Sequence, residues 1–236
     1  MRVPKTIDAF FFILIISIGF CVMTCDKKDS NPTEPEEAPA AVTDVDGNTY
    51  QIVKIGNQWW LKENLKVTHY RNGDAIPNVT DDSAWVSLTT GAYCSYDNDP
   101  ANSETYGHLY NWYAVNDPRC LAPEGWHAPS DDEWKALTDY LGGEAVAGAK
   151  MKKIGTTHWE QPNTGATNSS GLSALPAGTR AVEGEFQSKG RLALFWSSTE
   201  RTSLLAWFRA LQHDAEAASR VSGNIHYGYS VRCVKD

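Results

Sequence analysis

The stretch from Cys120 to Trp134, CLAPEGWHAPSDDEW, gathers a cysteine, two prolines, two tryptophans, a histidine and four acidic side chains into fifteen positions. Nothing else in the chain offers so many reactive groups so close together, so its reading decides whether the segment is chemistry or architecture. Ser130-Asp131-Asp132-Glu133, directly after Pro129, has the form of a capping box. In it the Ser130 hydroxyl accepts from the amide of Glu133, and the Glu133 carboxylate accepts from the amide of Ser130. The acids then sit at the positive end of a helix dipole, and Gly142-Gly143 supplies the stop. Trp134, Leu137, Tyr140 and Leu141 are expected to form the buried face. The carboxylates are thereby assigned to a helix start rather than to general acid or base work, and His127 to fixing the approach to that helix.

Working outward, Thr43 to Trp60 places β-branched and aromatic residues around the turn dipeptides Asp46-Gly47 and Gly56-Asn57, which predicts a hairpin. Tyr106 to Asn116 carries Tyr106, Leu109, Tyr110 and Trp112 or Tyr113 at helical spacing and is expected to be the first helix. Short strands and irregular stretches fill the remainder.

Upstream, Arg2 and Lys5 precede the apolar run Ala9 to Phe20, and the chain turns polar after Cys25, the order of an export signal. The run is about 15 residues even when extended to Met23, short of the roughly 20 a spanning helix needs. Residues 1–25 therefore read as a lipoprotein signal peptide. Cys25, preceded by Val22, Met23 and Thr24, is the expected lipidated residue, with Cys21 the alternative, although neither follows the usual Leu, small residue, Gly or Ala pattern. Residues 26–41, with three prolines, several acids and no large apolar side chain, read as a tether that cannot bury enough surface to offset its ordering entropy. The expected location is the bacterial envelope, at the outer membrane or cell surface, held by a lipid anchor.

Residues 42–236 are long enough for one domain with a sizeable core. Nine tryptophans and ten tyrosines supply large buried areas. A net charge of -8 without a basic aromatic patch argues against nucleic acid as a partner. Of the three remaining cysteines, Cys94, Cys120 and Cys233, any two can pair, leaving one thiol over. No C-x-x-C pair occurs, so neither a zinc ribbon nor a thioredoxin-type site is supported. The six histidines show no ligand spacing.

Seven stretches in order carry a family resemblance: WWLKENL (Trp59 to Leu65), YCSYDND (Tyr93 to Asp99), YGHLYNWYAVND (Tyr106 to Asp117), APEGWHAPSDDEW (Ala122 to Trp134), SGLSALPAG (Ser170 to Gly178), FWSSTE (Phe195 to Glu200) and YSVRCVKD (Tyr229 to Asp236). Together they resemble the Fibrobacter succinogenes major paralogous domain over nearly all of residues 42–236. That family is similar in turn to the formylglycine-generating-enzyme branch of the C-type lectin fold, where a GW-x-x-PT-x-x-EW stretch opens the second helix and an FRC-like strand closes the domain. The resemblance implies an α+β, C-type-lectin-like scaffold with two helices, a small twisted antiparallel sheet and long loops. It does not imply catalysis, because a scaffold by itself carries no function.

Many relatives carry a Cys directly before the Pro of the PxGWH stretch, whereas here that position is Ala122 and Cys120 lies two residues earlier. The resemblance thus leaves Cys120 free and makes Cys94–Cys233 the default bridge. The formylglycine-generating enzymes use a close pair of thiols near the domain's end, and only Cys233 lies there, so that activity is not carried over.

Two loops meet the chemistry of calcium. Asp97, Asp99, Asn102 and Glu104, with Asn98, supply enough hard oxygens for Ca²⁺, against the alternative of a solvated turn. Asp44, Asp46 and Asn48 fit a hairpin turn better than an EF-hand. Gln161-Pro162-Asn163 is similar to the triplet with which calcium-dependent C-type lectins meet sugar hydroxyls, yet the companion Trp-Asn-Asp strand is missing; a polar turn over Trp159 is the competing reading. Around the FWSSTE stretch and the C-terminus, Trp207 and Tyr227 are candidates for a ligand face, with Trp196 and Phe208 beside them, while core packing is the competing role for Trp196 and Trp207. The expectation is a non-catalytic binding or adhesion module for extracellular glycan or an envelope partner. The alternatives are a diverged enzyme of the same fold, with Asp97 or Glu104 as its carboxylates, and a structural envelope protein.

Overall fold

The computed structural model describes residues 40–236. The signal segment 1–25, Cys25 and Cys21, and all but the end of the 26–41 tether lie outside the described residues. The first strand begins at Ala41, one residue inside the expected tether.

Strands β1 (Ala41–Thr43), β2 (Thr49–Ile55) and β3 (Gln58–Leu61) form the expected antiparallel hairpins. The Asp46-Gly47 turn is built around Asp44, whose carboxylate accepts from the amides of Asp46 and Asn48 at 3.0 and 2.9 Å and from the Tyr50 hydroxyl at 2.6 Å. Two distant segments, β6 (Trp126–His127) and β12 (Val234–Lys235), extend the hairpins into a sheet of order β1-β2-β3-β12-β6. The strand expected to close the domain is thus clamped between β3 and the GWH segment.

The expected helix over Tyr106–Asn116 does not form. The chain instead runs α1 (Asp82–Val86), β4 (Tyr93–Cys94), α2 (Pro100–Tyr106), β5 (Leu109–Tyr110) and α3 (Trp112–Val115). Gly107 ends α2 at φ 72°, where an added Cβ would lie 2.6 Å from the Leu65 carbonyl oxygen. Leu109 and Tyr110 then pair with Cys94 and Tyr93. Asn111 restarts a helix by accepting from the Ala114 amide at 3.1 Å. The helical spacing of the aromatics arose from three short elements that pack Tyr106 and Leu109 into one cluster and Tyr110 and Trp112 into another.

Helix α4 (Asp131–Tyr140) starts with the complete capping box: Ser130 Oγ accepts from the Glu133 amide at 3.3 Å and Glu133 Oε2 accepts from the Ser130 amide at 2.8 Å. Trp134, Leu137 and Leu141 are buried as expected, but Tyr140 is 67 % exposed. At 3.6 residues per turn, Leu141 realigns with Trp134 while Tyr140 falls about a third of a turn off. Its ring lies over Gly56 of the β2–β3 turn instead. After Gly142-Gly143 an unexpected helix follows, α5 (Glu144–Met151). The described residues therefore hold five α-helices rather than two, within the expected α+β frame of antiparallel ladders.

A small hairpin, β7 (Thr179–Arg180) with β8 (Phe186–Gln187), precedes a three-stranded sheet of β9 (Leu192–Thr202), β10 (Leu205–Gln212) and β11 (Ala218–Asn224), in the order β11-β10-β9. On one face, Trp196 and Phe208 meet Tyr229, whose ring centroid is 4.4 Å from that of Trp196. On the other, Phe195 stacks on Trp134 at 5.6 Å, and Trp134 meets Trp60 at 4.7 Å. Trp196 is wholly buried, so the core role holds for it.

Long segments without regular structure are pinned by buried cations. Lys152, with no exposed surface, donates to the carbonyls of Thr164, Gln212 and Ala215 at 2.9, 2.9 and 2.8 Å. Arg232 donates to Asn64 Oδ1 and to the carbonyls of Leu61 and Leu172 at 2.6, 2.8 and 2.9 Å. Each guanidinium or ammonium supplies donors to carbonyls of loops and strand ends, which is what makes burying both partners tolerable. Burial brings Arg232 down to about 9 and also lowers Lys152.

The expected Cys94–Cys233 bridge is not present: both are buried free thiols. They belong to different packing regions, Cys94 with Trp85 and Leu109, Cys233 with the main aromatic cluster. Cys120, expected to be free, is disulfide-bonded.

Candidate functional site

An open cleft of about 590 Å³ lies where three separate segments meet: Thr80-Asp81-Asp82 at the start of α1, Asp97-Asn98, and Gly184-Glu185-Phe186 at the β7–β8 turn. Its organiser is Arg180 on β7, which is wholly buried. Arg180 Nε donates to the Gly184 carbonyl at 2.9 Å, and one terminal nitrogen to Asp82 Oδ1 at 2.8 Å. The other terminal nitrogen donates to the Val79 carbonyl. The guanidinium also lies 4.5 Å from the Trp85 ring centroid and 5.0 Å from that of Phe186. One side chain thereby ties two of the three walls together.

Local chemistry fixes each wall. Asp81 caps α1 by accepting from the Ala84 amide at 2.8 Å. Asp97 and Asn98 both adopt left-handed backbone, φ 56° and 55°, which Asn and Asp tolerate better than most residues. Asn98 Nδ2 donates to the Thr80 carbonyl at 3.0 Å, joining the remaining wall to the first. At Gly184, φ 99°, an added Cβ would come 2.5 Å from the Asp82 Cβ, so the turn closes against α1 only with glycine there. Phe186 packs on Tyr96 with ring centroids 5.3 Å apart. The result is a row of carboxylate and amide oxygens beside an aromatic wall.

Of the four residues expected to ligate calcium, only Asp97 reaches this cleft. Asp99 caps α2, accepting from the Ala101 amide at 3.0 Å. Asn102 accepts from Lys189 Nζ at 3.0 Å and donates to the Tyr96 carbonyl at 2.9 Å. Glu104 pairs with Lys66 at 3.3 Å. The helix beginning at Pro100 spreads these oxygens around its axis rather than around one point, and the Lys189 ammonium already stands beside them. Among the described residues no three His, Cys, Asp or Glu side chains gather in a form that suits a metal ion.

Of the Gln161-Pro162-Asn163 triplet, Asn163 is turned inward while Gln161 and Pro162 are exposed. Asn163, 7 % exposed, donates to the carbonyls of Lys153 and Gly155 at 3.0 and 2.8 Å. The Gln161 carbonyl lies 2.9 Å from His213 Nδ1. Trp159 packs beneath with its indole nitrogen donating to the Ala174 carbonyl at 3.0 Å, so the geometry is that of the polar turn. Trp207 is half-buried, with the guanidinium of Arg220 3.4 Å and that of Arg201 5.0 Å from its ring centroid. Tyr227 stacks on Tyr229 at 5.4 Å. Neither ring is a bare platform. His127, as expected, braces the start of α4: its Nε2 is 3.0 Å from both Glu133 oxygens and its Nδ1 2.6 Å from Asp236 Oδ1.

Arg180, Asp81, Asp82, Glu185 and Phe186 went unnoticed as site residues in the sequence. They come from stretches about a hundred positions apart, and no spacing rule links them. A Ser-, Asp- or Asn-capped helix and a Glu-Gly-Glu turn are ordinary signals by themselves.

Fold and cleft together define a mixed α+β domain with an open, hydrogen-bonded cleft. The family model for the Fibrobacter succinogenes major domain matches residues 53–235, and the chain belongs to that family. No curated protein and no solved structure matches the chain.

Proposed function

We propose that the domain is a non-catalytic binding module of the cell envelope that takes extracellular glycan in the Asp82–Asp97–Phe186 cleft. The observation that carries this reading is the pairing of carboxylate and amide acceptors with an aromatic wall on a floor fixed by Arg180. Sugar hydroxyls are donors that charged acceptors bind well, and the apolar face of a pyranose packs on an aromatic ring. Pre-set walls reduce the ordering cost of binding. Calcium has no part in this mode.

The frame is read as a variant of the C-type-lectin-like fold. In support, the first hairpin and the last strand lie in one sheet, and the GWH segment leads directly into a helix. Export and lipidation at Cys25, with residues 26–41 as the tether, place the module at the outer membrane surface. Their support is the charge, apolar run and polar tether order of residues 1–41.

Retention on a glycan array of the full chain in detergent tests the reading. Retention of at least one glycan class that survives chelation and falls about tenfold or more in Asp97→Ala supports it. Turnover of a retained glycan moves the protein to the diverged-enzyme class. Capture of an envelope protein with no glycan retained moves it to an adhesion or structural subunit.

A further inference from the structure

Away from the cleft, the β9–β10–β11 sheet carries an ordered cationic stack beside the start of α4. Trp207 stands on the central strand opposite Ser222 of β11. Arg201 reaches across it from β9 to donate to Ser222 Oγ, with its guanidinium 5.0 Å from the ring centroid. Arg220 lies 3.4 Å from the same centroid. Beneath them the wholly buried Arg209 and the half-exposed Arg220 share one carboxylate, that of Asp131, at 2.7 and 2.8 Å. Two of the three guanidiniums, those of Arg209 and Arg220, therefore share this carboxylate, while Arg201 bonds the Ser222 hydroxyl. Asp132 and Glu144 reach Arg220 only through space. Arg201 is exposed, and its hydrogen-bond partner among the described residues is a neutral hydroxyl.

We propose that the Arg201–Trp207–Arg220 stack is an anion-recognition subsite for the oxyanion substituents, carboxylate or sulfate, of an acidic polysaccharide. The choice of a polysaccharide as the bearer rests on the glycan reading above. A guanidinium held flat by an indole ring and a hydroxyl loses little freedom on binding, and it keeps planar N–H pairs that match a carboxylate or sulfate edge. The stack also explains why Trp207 is not a bare sugar platform: its faces position cations.

The test uses the full chain on immobilised polygalacturonate (carboxylate), dextran sulfate (sulfate) and neutral dextran, with anionic phospholipid vesicles as a fourth arm. Retention on either acidic polymer should exceed that on dextran, fall with added salt as expected for exposed charges, and drop about tenfold in Arg201→Gln, a surface change that leaves the Asp131 pairs intact. Trp207→Phe, which keeps an aromatic ring beneath the cations, should retain most of it. Equal retention of acidic and neutral polymers, or an Arg201→Gln variant that binds as wild type, overturns the subsite while leaving the glycan reading in place. Binding to vesicles alone overturns the polysaccharide assignment. If no glycan of any charge is retained, the glycan reading and the subsite fall together.

Discussion

His127 Nδ1 stands 2.6 Å from Asp236 Oδ1, while its other ring nitrogen faces the Glu133 carboxylate at 3.0 Å. The ring thus joins the end of the central sheet to the capping box of α4. Burial opposes charge on this imidazole, but hydrogen bonds and attraction from Glu133 and then Asp236 outweigh it, so His127 is raised above its ordinary 6.5. Burial likewise opposes the Glu133 charge, and His127 and Ser130 overcome it, bringing Glu133 down to about 2.

The pH dependence follows with opposite signs for the two partners. The His127 contribution is fully present below about pH 6.5 and is lost as pH rises through its higher folded value. The Glu133 contribution is present above about pH 4.5 and is lost as pH falls toward 2. Thermal melts across pH should show greatest stability between these limits, and His127→Gln should flatten the decline on the alkaline side. A wild-type melting temperature that does not fall above pH 6.5 would count against the clamp.

Ser130→Ala removes the hydroxyl that accepts from Glu133 N. The expected loss is about 0.5–2 kcal/mol of stability, with glycan retention unchanged, measured by denaturant unfolding beside array binding. A variant with full stability and lost binding would return these acids to a functional role.

Lys152→Met keeps the stem that packs near Trp159 but withdraws donors from three carbonyls. Each buried acceptor left without a partner costs roughly 1–3 kcal/mol, so a large drop in the unfolding midpoint is expected. Removal of a solvated surface lysine such as Lys135 should cost within about 0.5 kcal/mol. Equal effects from the two variants would show that the carbonyl cage does not hold the loop.

Burial pushes the Cys94 thiol up to about 12, despite the nearby Arg180, and raises Cys233 as well. Because the thiolate is the reactive form, neither should react with a thiol reagent in the native protein, and both should label on unfolding. Rapid native labelling at neutral pH, or thiols that stay unreactive after unfolding without reductant, would contradict their free, buried state.

The sequence by itself determined the features that depend on neighbours along the chain. The capping box needs only Ser130 and Glu133 three positions apart, and the first hairpins need only Asp46-Gly47 and Gly56-Asn57 between β-forming residues. Both stand as read, and the seven ordered motifs carried the family. Tertiary structure decided the rest. Tyr110 and Leu109 became a strand because Tyr93, Cys94 and Tyr229 were there to pair with them, overriding a helical period that short-range spacing alone supported. Likewise, Trp207 became the core of a cationic stack because Arg201 and Arg220 arrive from flanking strands. The cleft exists because Arg180, buried and needing acceptors, draws Val79, Asp82 and Gly184 together across about a hundred positions of chain. A charge must find its partners wherever folding brings them, and linear spacing does not encode that distance.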